Sequence, residues 1–157
     1  MKKYTDSMDI RKDVKLDNLL AQRRAPLSEA GMNKTLQELT MYLTTNVIFA
    51  AALYPREEAL SRIDINAGDI YKADIMQGTD NERYFPVFTD VDGLRKWKPK
   101  LSKGEFIYLL NKEDILDFLN RNDKVAAAVV NPMSDDLLLF RMQLQNFIQV
   151  GKDNAGK

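Results

Sequence analysis

The chain has 157 residues, a length that fits one compact domain, and its 45% hydrophobic and 29% charged residues are typical of a globular protein. It contains 23 basic and 23 acidic side chains, so its formal net charge is zero, which argues against a surface built as a whole for nucleic acid or anionic lipid. Cysteine and histidine are both absent, which excludes disulfides, thiolate ligands, cysteine nucleophiles and the side chain most often used for acid–base catalysis near neutral pH.

Both ends of the chain are polar and lack hydrophobic periodicity. We therefore predict flexible segments at residues 1–12 and 151–157 and a single domain over residues 13–150. The longest apolar run, residues 47–54, is eight residues long, whereas a membrane-spanning helix needs ~20. These features predict a cytosolic (cytoplasmic) protein without a membrane partner.

The first part of the domain is predicted to contain two helices and a buried strand. The first helix covers residues 14–23, and the second begins after Ser28, a favourable N-cap residue. Residues 47–53 are apolar on both faces and predict a buried strand that ends before Pro55. The predicted inward residues of the two helices are Leu16, Leu19, Leu20, Met32, Leu36, Leu39 and Leu43.

A β-hairpin is predicted next. Residues 71–75 alternate apolar and polar side chains, and turn-forming residues at 78–81 separate them from a returning strand at 83–88. Thr89 is predicted to cap the following short helix, with Asp92 completing a capping box. The predicted inward residues of that helix are Val91, Leu94 and Trp97.

The remaining pattern predicts further strands and helices. Strands are predicted at residues 105–110 and 125–130. The helix predicted between them, at 111–120, is capped by its first residue and has Ile115, Phe118 and Leu119 as its inward residues. Residues 137–140 fit either a last strand or the first turn of a closing helix, and we favour a strand followed by a helix from about Arg141. A hairpin combined with crossover helices predicts an α+β fold, with one mixed sheet of about five strands packed against helices.

Two short motifs stand out in the second half of the chain. Residues 84–90 read Tyr-Phe-Pro-Val-Phe-Thr-Asp and are followed by Leu94 and Trp97, while residues 129–132 read Val-Val-Asn-Pro. This pattern resembles the N-terminal domain of the SseB family, which is named for enhanced serine sensitivity. The shared features are a strand that ends in an aromatic residue and Thr, a capped helix with Leu and Trp, and a strand that ends in Asn-Pro. The resemblance covers about residues 14–148, and its specific part is confined to the neighbourhood of these motifs.

The resemblance implies an α+β fold and brings neither an established reaction nor catalytic residues. The sequence departs from the family pattern in one turn, because members often have Gly after Asn-Pro where this chain has Met133. The motif residues also have a purely structural interpretation. Asn131-Pro132 makes a turn, and Pro86 indicates a position at a strand edge or bulge.

One segment has an uneven distribution of charge. Residues 95–103 hold five cations, one tryptophan and no acid, a combination suited to contacts with phosphate or single-stranded nucleic acid. The alternative is a helix end whose basic side chains complement the helix dipole, and we favour it because zero net charge provides little wider field to attract nucleic acid. The candidate residues for contact with a partner or ligand are Asp90, Arg95, Lys96, Trp97, Lys98 and Asn131.

Acidic side chains are frequent, but they fall mostly in the first turns of predicted helices, where they offset the helix dipole without a metal. No calcium-loop spacing appears in the sequence. We therefore predict no metal site, no cofactor and no catalytic residue.

Three functions remain open. The leading hypothesis is a non-catalytic cytosolic interaction module of the SseB type (an adaptor, chaperone-like or immunity protein) with a protein partner, homo-oligomerisation being left open. The second is a small-molecule-binding protein or a histidine-independent enzyme. Convergence of Asp90, Lys96 and Asn131 around a concavity would favour this second hypothesis. A broad apolar patch would instead favour a protein partner. The third and weakest is nucleic-acid binding through residues 95–103.

We predict that the protein has no hydrolase activity of the serine or cysteine type, because it has neither histidine nor cysteine. Incubation with a fluorophosphonate probe should label no serine. Labelling that disappears when one particular serine is replaced by alanine would contradict the prediction.

Overall fold

A computed structural model describes residues 1–156. The helices are α1 (Val14–Arg24), α2 (Glu29–Leu43), α3 (Val91–Trp97), α4 (Lys112–Arg121) and α5 (Arg141–Ala155). The strands are β1 (Lys2–Lys3), β2 (Phe49–Pro55), β3 (Ile70–Ala73), β4 (Met76–Gln77), β5 (Arg83–Val87), β6 (Phe106–Leu110), β7 (Ala127–Val130) and β8 (Leu137–Phe140). None of the described helices is both long and apolar enough to cross a lipid bilayer.

The predicted α+β class is confirmed, but the strands form two sheets rather than one sheet of about five strands. The first sheet is antiparallel with strand order β1-β6-β2-β3, and the second is mixed with strand order β4-β5-β7-β8, in which β5 and β7 run parallel. Two reciprocal hydrogen bonds of 2.7 and 2.8 Å between the backbones of Ala50 and Phe88 join the sheets. Strand periodicity shows which face of a strand is buried but not which strand lies beside it, so the sequence could not separate the two sheets.

The predicted hairpin is wrong in its first strand. Strand β3, at residues 70–73, pairs with β2 in the first sheet, and only the short strand β4 turns back onto β5. Strand β4 pairs with Arg83 and Tyr84 alone, so no strand of the sheet lies on that side of Pro86. Proline has no backbone N–H, and because no strand lies beside it there, the missing N–H costs the sheet no hydrogen bond.

Most of the predicted helix signals are confirmed. Ser28 and Asn111 each accept a hydrogen bond from the backbone N–H three residues later, as N-caps do. The predicted inward residues of α1 and α4 are buried: Leu16, Leu19, Leu20, Ile115, Phe118 and Leu119. In α2, however, Met32 and Leu36 are exposed and Thr35 is buried, because burial depends on where the neighbouring elements pass, which periodicity does not show.

The two ends of the chain carry regular structure where the sequence predicts flexible segments. Lys2 and Lys3 pair with β6, and residues 151–155 continue α5, while Lys157 lies outside the described residues. Strand pairing uses backbone groups, and a helix that has already formed extends at little cost, so polar composition does not exclude either element. Residues 137–140 form β8 and α5 begins at Arg141, as favoured from the sequence.

Phe88→Ala should lower the free energy of unfolding by ~3–5 kcal/mol, because Phe88 is buried and packs on Trp97 with ring centroids 5.5 Å apart. Urea denaturation beside the wild type measures the change. Met41→Ala, at an exposed position of α2, serves as the control and should shift the midpoint little. An unchanged midpoint for Phe88→Ala would show that this residue does not belong to the core.

Candidate functional site

The candidate site lies where the two parallel strands end. Because β5 and β7 run in the same direction, their carboxyl ends reach the same edge of the sheet, and Thr89 and Asn131 follow them there. The crevice beyond the carboxyl ends of parallel strands is a common ligand site in open α/β sheets. The topology therefore brings together two motifs whose contact residues are 42 positions apart in the sequence.

The side-chain amide of Asn131 holds this edge together. Its Oδ1 accepts the backbone N–H of Thr89 at 3.0 Å, and its Nδ2 donates to Thr89 Oγ1 at 3.1 Å and to Asp135 Oδ2 at 2.7 Å. The φ of Asn131 is 49°, in the left-handed region that asparagine tolerates better than most residues. One amide thus connects both strand ends and the turn that follows β7.

Residues of helix α1 complete a closed set of polar contacts, which we name the polar ring and which consists of Asp17, Arg24, Thr89, Asn131 and Asp135. The Thr89 hydroxyl donates to Asp17 Oδ1 at 3.1 Å. Near the end of α1, Arg24 Nε lies 2.7 Å from Asp135 Oδ1 in an ion pair, and Arg23 donates to the Asp135 carbonyl at 2.8 Å. The polar contacts therefore run from α1 to the ends of β5 and β7 and back to α1.

The predicted role of Thr89 as a helix cap is wrong, and with it the capping box to Asp92. Helix α3 begins at Val91, and its N-cap is Asp90, whose Oδ1 accepts the backbone N–H of Gly93 at 2.6 Å. Thr89 instead uses its backbone and its hydroxyl to reach other elements. Threonine and aspartate both favour the N-cap position, so residue type alone could not separate these two neighbours.

A cavity of about 660 Å³ opens beside the ring, and we name it the Asn131 pocket. Its wall combines charged side chains of both signs, the amide of Asn131 and the aromatic rings of Phe88 and Trp97. The residues that line it include Lys12, Asp17, Arg24, Asp90, Lys96, Met133, Ser134 and Asp135.

Four of the six candidate contact residues meet at this pocket. They are Asp90, Lys96, Trp97 and Asn131. The other two, Arg95 and Lys98, lie on the same segment but are engaged elsewhere. Arg95 forms an ion pair of 2.7 Å with Asp6 and lies over the ring of Tyr4 at 5.6 Å.

Lys98 is held by two carboxylates, those of Asp74 and the buried Glu105. Burial by itself would lower the pKa of Lys98, but the hydrogen bonds and charges of the two carboxylates outweigh burial, and the pKa is raised. Two cations of the basic segment, residues 95–103, are therefore paired within the protein. This pairing argues against a nucleic-acid surface there, because binding to phosphates depends on available cations.

Four of the charged residues in the pocket are not among the six candidates indicated by the sequence: Lys12, Asp17, Arg24 and Asp135. Helix α1 shows only an ordinary amphipathic pattern, and Asp17 lies 72 positions before its partner Thr89. The one usable signal was the acidic pair at residues 135 and 136, which follows the Asn131-Pro132 turn closely enough to lie near it.

The carboxylate of Asp17 is only partly compensated. Burial raises the pKa of Asp17 above 3.8; the Thr89 hydroxyl and the Lys12 ammonium oppose the rise, and the neighbouring carboxylates of Asp90 and Asp13 add to it. Lys12 Nζ lies 3.8 Å from Asp17 Oδ2 and 4.0 Å from Asp90 Oδ2, beyond hydrogen-bond distance. The ionised form of Asp17 therefore reduces the stability of the fold.

The turn after β7 holds an apolar side chain at the mouth of the pocket. Met133 has a φ of 71° and is 81% exposed. Glycine adopts such a φ readily, whereas methionine is strained by it. Backbone strain of this kind is concentrated at functional sites, so Met133 is a candidate contact residue that the sequence did not indicate.

The carboxylates of the pocket do not converge on one point as metal ligands do. Within residues 1–156, no group of three or more acidic side chains is arranged to hold a metal ion. Each carboxylate in the pocket is engaged by a different protein group: Asp17 by a hydroxyl, Asp90 by a backbone N–H and Asp135 by an amide.

No family model, curated protein or solved structure matches this chain. No residue role is therefore carried over from a relative, and the functional assignment depends on the geometry of the Asn131 pocket.

Asp17→Asn should make the stability of the protein less dependent on pH. In the folded protein the pKa of Asp17 is raised above 3.8, so the unfolded chain releases the proton of this carboxyl more readily than the folded protein does. The wild type therefore loses stability as the pH rises from 3.8 through the pKa that Asp17 has in the folded protein. Asparagine does not ionise, so the variant should gain stability relative to the wild type between about pH 4 and about pH 7.

Urea midpoints of both proteins at the two pH values measure this gain. Asp117→Asn, which removes a half-exposed carboxylate from α4, is the matched control. A difference between Asp17→Asn and wild type that stays constant across the pH range would contradict the expectation.

Proposed function

We propose that this protein is a non-catalytic binding module that takes a small polar ligand in the Asn131 pocket. The observation that supports the proposal is the convergence of Asp90, Lys96 and Asn131 around one concavity. Such a convergence of polar groups in a concave site is characteristic of small-molecule binding. It favours the second of the three functional hypotheses over the other two.

The size and the wall of the pocket are consistent with this role. Its volume of about 660 Å³ lies within the range of ~300–1,000 Å³ that small-molecule pockets occupy. Charged groups of both signs can orient a polar ligand, and the rings of Phe88 and Trp97 offer apolar contact.

The hydrogen bonds of the Thr89 hydroxyl, the one hydroxyl in the polar ring, favour binding without reaction. Thr89 Oγ1 donates to Asp17 and at the same time accepts from Asn131 Nδ2. A hydroxyl oxygen that accepts a hydrogen bond is a weaker nucleophile, and its carboxylate partner has no further group arranged to carry the proton away. The arrangement therefore stabilises the site rather than activating a nucleophile.

A protein partner is the second candidate, in keeping with an interaction module of the SseB type. The observation that favours it is Met133, an exposed apolar side chain held in a strained conformation beside the pocket. A partner segment that covers the mouth would bury this side chain together with part of Trp97.

Binding of small polar compounds to the wild type should be detectable by the fluorescence of Trp97, which is the single tryptophan of the chain and lies in the pocket wall. A screen of polar metabolites by fluorescence and thermal shift should yield compounds that bind saturably. Ser134→Phe, which fills the mouth of the pocket, should abolish that binding regardless of the ligand's charge.

The matched control is Ser102→Phe, which adds the same ring at an exposed position away from the pocket and should leave binding intact. Compounds that bind both variants as well as the wild type, or a screen without any binder, would contradict the proposed function.

A further inference from the structure

Two buried acceptor atoms in the Asn131 pocket have no hydrogen-bond donor. Among residues 1–156, the buried side-chain oxygens without a donor are Asp17 Oδ2, Asp135 Oδ1 and the hydroxyl of Tyr108, and both carboxylates belong to the pocket wall. The side chain of Asp135 is only 9% exposed, and the Arg24 ion pair offsets its charge without directing an N–H at Oδ1. Buried acceptors without donors are rare, so two in one cavity call for an external donor.

An internal cation already lies near one of these acceptors, Asp17 Oδ2. The Lys12 ammonium lies about equally far from Asp17 Oδ2 and Asp90 Oδ2, at 3.8 and 4.0 Å, and makes no hydrogen bond to either. Its side chain is 66% exposed and comes from the segment before α1, outside any helix or strand. Such a long, exposed side chain is readily displaced, because an exposed ion pair contributes little stability.

The aromatic part of the pocket wall suits a positive charge as well. Trp97 lines the pocket with its ring against Phe88, and a tryptophan ring attracts ammonium and guanidinium groups. An anionic ligand would find fewer partners, since Arg24 is paired with Asp135 and only the exposed Lys12 and Lys96 are available to it.

We propose that the Asn131 pocket binds an organic cation with several N–H donors, an alkylguanidinium or alkylammonium group, in place of the Lys12 ammonium. Its N–H groups donate to Asp17 Oδ2 and Asp135 Oδ1, and its charge lies between Asp17 and Asp90. This inference rests on the proposed function and assigns a chemical class to its ligand. The same group occurs in free amines and in arginine or lysine side chains of a protein.

Titration of the full chain with agmatine, followed by Trp97 fluorescence and by calorimetry, tests the assignment. Binding of agmatine should be saturable. The affinity for butylurea, which has a similar planar head without the charge, should be at least about tenfold lower. Equal affinity for agmatine and butylurea would overturn the assignment.

Two variants should change the affinity in opposite directions. Asp17→Asn should weaken agmatine binding about ten- to hundredfold, because it removes a charged acceptor, while the control Asp117→Asn should not. Lys12→Ala should tighten binding about two- to fivefold, because it removes the competing cation, while Lys124→Ala at another exposed position should not. Unchanged affinity in both Asp17→Asn and Lys12→Ala would overturn the proposal.

The source of the cation is decided by a second probe. A blocked Gly-Arg-Gly peptide that binds more tightly than agmatine would identify an arginine side chain of a protein, and weaker binding would identify a free amine. If neither probe binds while neutral or anionic compounds bind in a manner blocked by Ser134→Phe, the cation assignment is wrong and the proposed function stands. If Ser134→Phe blocks no ligand, the proposed function itself fails.

Discussion

The side-chain amide of Asn131 is the contact on which the site depends. Its three hydrogen bonds hold the end of β5, the end of β7 and the following turn in one arrangement. Without the amide, the Thr89 N–H would lose its acceptor and the Asp135 carboxylate its hydrogen-bond donor, and unmatched buried polar groups cost more than the bonds themselves contribute. The left-handed φ of Asn131 also begins the turn that places Met133 and Asp135 beside the pocket.

Two of the ion pairs in this chain join segments that are far apart in the sequence. Arg95 reaches Asp6 over 89 positions, and Arg24 of α1 reaches Asp135 in the turn after β7. These pairs attach the N-terminal segment to α3 and the first helix to the turn after β7. The pairing of Arg95 also removes charge from the surface that a nucleic acid would use. The pair of Arg24 and Asp135 also lines the Asn131 pocket, so the fold and the candidate site depend in part on the same residues.

Sequence signals predict a structural feature reliably when that feature depends only on residues within one helical turn. The caps at Ser28 and Asn111 were predicted correctly because a cap depends on a side chain and a backbone N–H three residues later. Thr89 was misassigned because its hydroxyl is drawn to Asp17 by the packing of α1, and the neighbouring Asp90 caps α3 instead. Met32 fits the helical stripe of α2, but no neighbouring element covers it.

The sequence by itself determined the α+β class, most helix positions and the two motifs that contain Asp90 and Asn131, since periodicity and turn chemistry are local properties. Only the tertiary structure decided that the strands divide into two sheets and that β5 and β7 are parallel neighbours, which brings Thr89 to Asn131. It alone placed Asp17 and Arg24 of α1 at the same pocket. Strand pairing and helix docking depend on contacts between residues far apart in the chain, and no pattern within a short window of one sequence specifies which of them meet.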